Sequence, residues 1–179
     1  MALWTRGIPL SPAPRQIPPP LSSLSSQATN QIDSTTRRVI RVILASSPRR
    51  CPQTWKWHGT NYLGAVHSTV GILTQIVLSD PSRTPDLDPD LAHLLSRQIP
   101  DGGNWPSSLP ASRCSADRLV QVCHGVPGVV LSVQTLRPHF PDRARQIDSA
   151  VAAARDGCIR GRGMLTKEPC LCHSMSGNA

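Results

Sequence analysis

The sequence predicts an all-α protein made of repeated helical hairpins, and three observations predict it. Apolar residues recur at helical spacing in one segment after another between residues 31 and 157. No alternating strand pattern of any length interrupts them. The hexads VHSTVG (66–71), CHGVPG (123–128) and CHSMSG (172–177) also align without a gap, with His second, Ser or Gly third and Gly sixth.

Residues 1–30, rich in Pro and Ser and free of acidic groups, cannot bury enough apolar surface to fold alone and are expected to be disordered. Their prolines would break the amphipathic helix of a transit peptide, which the composition otherwise resembles. The structured part is expected over 31–179. In QIDSTTRRVIRVILAS (31–46) a helix capped at Asp33 or Ser34 places Val39, Ile40, Ile43 and Leu44 on one face. HSTVGILTQIVLS (67–79) is apolar nearly all round and predicts an interior helix. DPDLAHLLSRQI (88–99) carries Leu91, Leu94 and Leu95 on one stripe, and the Pro- and Gly-studded stretch 100–115 predicts a long loop. PGVVLSVQTLR (127–137) predicts a second interior helix ended by Pro138, and 142–157 an amphipathic helix with Ile147 and Val151 inward and Gly157 as its stop. Residues 163–172 lead into the last hexad.

The three motif histidines, His67, His124 and His173, are 57 and 49 residues apart. Each interval holds an interior helix, an amphipathic helix and a loop, so the unit is a helical hairpin entered through a His-x-x-x-Gly turn. Stacked hairpins bring equivalent turns together at one end of the array.

Composition narrows the function. Aromatic residues are only 3% of the chain, so the core must rest on Leu, Ile, Val and Ala. The net charge of +8 comes from 17 arginines and two lysines, but the arginines are scattered in runs no longer than two, without aromatic interleaving; nucleic acid is not the expected partner. No stretch approaches the ~18 uninterrupted apolar residues of a membrane helix. A secretory-type apolar run is lacking too, so the six cysteines are expected in a reducing compartment, where Cys beside His points to metal or catalysis. The expected location is cytoplasmic, with peripheral attachment to the plasma membrane as the alternative.

Cys123, Cys172 and His173 offer two thiolates and an imidazole, a ligand set suited to zinc with a fourth position open. The alternatives are a four-ligand structural site using Cys170, and ordinary buried cysteines. His67 sits in the equivalent turn, with Val66 where the others have Cys; it reads as a general acid or base, or as a residue capping its own helix. Lys167 reads as a cation for an anionic substrate, or as a solvated loop lysine.

The stretches WHGTNYLGAVHSTVGILTQIVLS, NWPSSLP, DRLVQVCHGVPGVVLS, LRPHFP and LTKEPCLCHSMSGNA resemble the LanC-like proteins, eukaryotic relatives of the bacterial lanthionine cyclases, over residues 55–179. That resemblance implies an α/α toroid of seven helical hairpins with zinc held at one end. It implies zinc ligands at Cys123, Cys172 and His173, an active-site histidine at His67 and a glutathione-recognising lysine at Lys167. The implied reaction adds a thiol, from glutathione or a peptide cysteine, to dehydroalanine or dehydrobutyrine in a peptide or protein.

Two departures from the family pattern stand out. Ser68 and Ser174 follow motif histidines where the family has Gly; if positive φ is needed there, each serine costs on the order of 1 kcal/mol. After Gly177 come only Asn178 and Ala179, where Gly71 and Gly128 are followed by full apolar helices. The expectation is a partial toroid of roughly three hairpins, either an enzyme or a truncated, catalytically impaired remnant that binds zinc or glutathione at most.

Overall fold

Helix α1, Ser26–Ser46, opens where the Ser25 hydroxyl accepts a hydrogen bond from the Ala28 amide (3.2 Å). The computed structural model describes residues 25–47, 52–66, 68–111, 117–162 and 172. The chain divides into two units, residues 1–35 and 36–179. Helix α1 therefore starts before the expected cap at Asp33 or Ser34, and residues 26–30, expected to be disordered, are helical. Its face also differs from the expected one. Ile40 is buried and Ile43 and Leu44 are half-buried against the core, but Val39 faces solvent. The Ile43 carbonyl accepts the indole N–H of buried Trp55 (2.9 Å), which turns the chain back along the helix.

Among the described residues three very short strands follow, which the sequence did not reveal. Strand β1 (Lys56–Trp57), β2 (Thr60–Tyr62) and β3 (Ser108–Leu109) form an antiparallel sheet in the order β1-β2-β3. Lys56 pairs with Asn61 and Tyr62 with Ser108. His58 and Gly59, both at positive φ (48° and 78°), make the tight turn between β1 and β2. A strand of two or three residues has no room for an alternating pattern, and its partner β3 lies within the expected loop.

Helix α2 (Thr69–Ser79) is the expected interior helix, with Val70, Leu73, Ile76 and Val77 buried. The Asp80 carboxylate accepts the Ser82 amide (3.3 Å) and starts the turn into α3 (Thr84–Leu95). This helix begins before the expected 88 and ends before 99. Pro85 sits in its first turn, where an absent N–H costs nothing, and Leu87 extends the buried stripe by one turn. Helix α4 (Val126–Leu136) is the second interior helix, with Val126, Val129, Val133 and Leu136 fully buried. Helix α5 (Ala144–Ala154) buries Ile147, Ala150 and Ala154. Gly157 does not stop it. The chain widens through one π-helical turn (Arg155–Ile159) into the short α6 (Arg160–Arg162), since Gly157 stays out of the positive-φ region that ends helices.

Helix α2 packs on α3 and α4, α4 packs on α5, and α3 touches α5, so two hairpins lie side by side with equivalent helices as neighbours. Arg143 grips Asp88 with two hydrogen bonds (2.8 and 2.6 Å), tying the α5 entry to α3. Between the hairpins Trp105 is fully buried and its indole N–H donates to the Leu94 carbonyl (2.9 Å). These packed α2–α3 and α4–α5 hairpins make the mainly helical class and the hairpin repeat as expected from the motif.

Candidate thiol and metal site

The loops that enter α2 and α4 meet backbone to backbone. A Cβ placed on Gly64 would stand 2.0 Å from the Cys123 carbonyl oxygen and 3.1 Å from the His124 Cα. Only a residue without a side chain permits that approach. The equivalence of the two turns is visible in their helices. A Cβ on Gly71 would meet the Ala65 carbonyl oxygen at 2.0 Å, and one on Gly128 would meet the Val122 carbonyl oxygen at 1.8 Å, the corresponding residue of the next repeat.

The turns differ at the residue after histidine. Gly125 precedes α4 at φ 106°, a conformation that L side chains rarely adopt. Ser68 precedes α2 at φ −163°, which is extended backbone open to any residue. The strain expected for serine at this position is therefore absent, and the Ser68 hydroxyl donates instead to the Gly64 carbonyl (2.7 Å). Ser174 lies outside the described residues.

Cys123 is buried, with its Sγ 3.6 Å from Gln121 Oε1 and 3.6 Å from the carbonyl oxygen of Cys172. Cys172, the first residue of the third hexad, thus lies against the second turn. Burial pushes the Cys123 thiol up to about 11, with the adjacent Cys172 adding to the rise. A thiol so placed stays protonated at neutral pH unless a nearby cation compensates. His124 is half-buried beside it, its ring 5.2 Å from that of Tyr62 at 46°, and its carbonyl accepts the Gln121 amide (3.0 Å).

The structure brings together two of the five residues singled out, Cys123 and Cys172. His67, His173 and Lys167 lie outside the described residues, as does Cys170. Among the described residues no group of three or more His, Cys, Asp or Glu side chains gathers as a metal cluster. Cys158, on the π-helical turn, is fully buried in the core and fills an ordinary packing role.

Residues 16–179 match the family model for lanthionine synthetase C-like protein. The chain belongs to the LanC-like family. It is 30% identical to LanC-like protein GCL1 of Arabidopsis thaliana over 138 residues, covering 75% of this chain and 30% of that protein. It is 29% identical to a protein of Danio rerio named glutathione S-transferase LANCL1 over 135 residues, covering 72% of this chain and 31% of that one. The chain therefore spans about 30% of the length of these LanC-like relatives.

Sequence reasoning missed two residues that shape this site, Gly64 and Asn104. Gly64 stands three residues before His67, and the aligned position before His124 is Gln121, so the hexad repeat does not extend to it. Asn104 lies in NWPSSLP, within a stretch expected to be loop, and its side chain enters the Cys123 loop from there. The available signal was its neighbour Trp105, a large apolar residue set in a polar, Pro- and Gly-rich stretch.

Proposed function

We propose that this chain holds zinc through Cys123, Cys172 and His173 and serves the addition of a thiol to dehydroalanine or dehydrobutyrine residues. The observation that carries the reading is the 3.6 Å contact between the Cys123 thiol and the Cys172 carbonyl, which joins loops of two repeats in the order the family pattern requires. The donor chemistry fits the metal. Two soft sulfurs lie on adjoining loops, and burial holds one of them as a thiol, so a dication is the partner that would ionise it. Bound zinc with three protein ligands supplies an open position at which a further thiol ionises near neutral pH.

The chain's own residues account for the other needs of the reaction. The thiol sulfur bonds to the β-carbon of the dehydroamino acid as the carbon–carbon double bond breaks, and the α-carbon takes up a proton. His67 delivers that proton, because imidazole exchanges protons near neutral pH. Lys167 pairs with a carboxylate of the incoming thiol, for which glutathione is favoured by the name of the Danio rerio relative. The burial of Cys123 and the tight Gly64 contact keep the ligand loop from rearranging.

Zinc content of the purified chain tests the reading together with mass spectrometry of a dehydroalanine peptide incubated with glutathione. About one zinc per chain is expected, falling more than tenfold in Cys123→Ala and in Cys172→Ala. A glutathione adduct should form faster than without protein. Zinc retained in both variants would refute the ligand set; zinc bound normally with no acceleration would leave a metal-binding protein that lacks the transferase activity.

A further inference from the structure

We infer that Asn104 is a positioning residue for the thiol site, the buried centre of a hydrogen-bonded brace that ties the Cys123 loop to the end of α6. This rests on the proposed zinc reading for its functional meaning, but its geometry stands on other residues.

Asn104 is fully buried, although it belongs to the connection between the two hairpins. Its Oδ1 accepts the Val126 amide (2.8 Å), the first N–H of α4, which would otherwise be an unpaired donor at a helix start. Gly125, at φ 106°, has no side-chain hydrogen bond to offer as a cap, so Asn104 supplies the cap from a distant part of the chain. Its Nδ2 donates to the Leu119 carbonyl (3.0 Å) and to Asp117 Oδ1 (2.9 Å). A single amide thus grips both ends of the loop that carries Cys123 and His124. A Cβ on Gly125 would come within 3.0 Å of Asn104 Oδ1, so the fit is close as well as bonded.

Asp117 extends the brace. The same Oδ1 pairs with Arg162 Nη1 (2.7 Å), and Arg162 Nη2 donates to the Asp117 carbonyl. Arg162 ends α6, the last described element before Cys172. The line Arg162–Asp117–Asn104–Val126 therefore links the end of α6 with the entry of α4. The Arg162–Asp117 pair is partly exposed and contributes little on its own. Asn104, buried with both ends of its amide engaged, is where an unpaired group would be costly.

Three variants of the full chain test the brace: Asn104→Ala, Arg162→Gln and Gln98→Ala. Gln98 is the control, since its Nε2 bonds to Gly103 and Ala150 carbonyls (2.9 and 2.7 Å) and to nothing in the Cys123 loop. Each variant is read by hydrogen exchange of the peptide spanning 119–130, and by titration with Co2+ alone, following thiolate-to-cobalt absorption. Asn104→Ala is expected to speed exchange in that peptide at least tenfold and to weaken Co2+ binding at least tenfold. Gln98→Ala should do neither at a comparable loss of melting temperature. If Asn104→Ala does not fold, Arg162→Gln decides, with a two- to fivefold weakening expected at unchanged melting temperature. Exchange and Co2+ affinity equal to wild type in the folded variant would overturn the brace. Failure of the wild type itself to bind Co2+, with exchange still selectively raised in Asn104→Ala, would overturn the zinc reading and leave the brace standing.

Discussion

Asp88 and Asp90 stand two residues apart on α3, and their surroundings drive them in opposite directions. The Arg143 guanidinium, bonded to both Asp88 oxygens, holds that carboxyl below its ordinary value. Both partners are about a third exposed, so solvent screening limits what the pair contributes to stability. Asp90 is buried. Its Oδ1 accepts the Gln53 amide, but its Oδ2 has no hydrogen-bond partner among the described residues. Desolvation raises its pKa above the ordinary 3.8, and the Gln53 hydrogen bond only partly opposes that. A raised carboxyl means that the folded chain holds the proton more tightly than the unfolded one. Its contribution is complete below pH 3.8 and is lost as pH rises through the folded value, so at neutral pH an ionised Asp90 is a cost. Asp90→Asn is expected to stabilise by about 1–2 kcal/mol at pH 7 and to have little effect near pH 3. Thermal melts at the two pH values check this, and a lower melting temperature at pH 7 would contradict it. The stripe Leu91, Leu94 and Leu95 was legible from sequence; the burial of Asp90 beside it was not, because it depends on the segment around Gln53 crossing α3.

At the scale of elements, the contact between turns depends on glycine at one position more than on helix packing. A methyl group on Gly64 would overlap the Cys123 carbonyl at 2.0 Å, and a backbone neighbour cannot rotate away. Gly64→Ala is expected to destabilise by about 1–3 kcal/mol, lowering the melting temperature by roughly 2–4 °C per kcal/mol. Gly161→Ala makes the contrast, since nothing lies within 4 Å of that position in α6; it should be neutral or slightly stabilising. Equal melting curves for the two variants would disprove the tight contact. The interior helices α2 and α4 were legible because their residues are apolar nearly all round. Strands β1 to β3 were not, because runs of two or three residues carry no pattern and β3 is held by pairing with β2 across about fifty residues. The π-helical turn at Gly157 was hidden for a related reason: whether glycine ends a helix is decided by its φ, which packing sets.

Across the molecule, two repeats stack so that their entry turns touch, and Cys172 lies against the second of them. The stacking of the turns could be read from the aligned hexads, because each interval holds the same hairpin unit and so returns the chain to the same end. The brace around Asn104 could not, since its partners Asp117, Leu119, Val126 and Arg162 come together only after folding. Leu78 and Leu131, on the two interior helices, stay 49% and 58% exposed, which leaves apolar surface on both. The central claim is that Cys123 and Cys172 share one metal ion, with a vacant coordination position beside them. X-ray absorption at the zinc edge of the purified chain measures this directly. Two sulfur neighbours at about 2.3 Å with lighter atoms completing the shell are predicted. A shell of four sulfurs, or one without sulfur, would contradict the account.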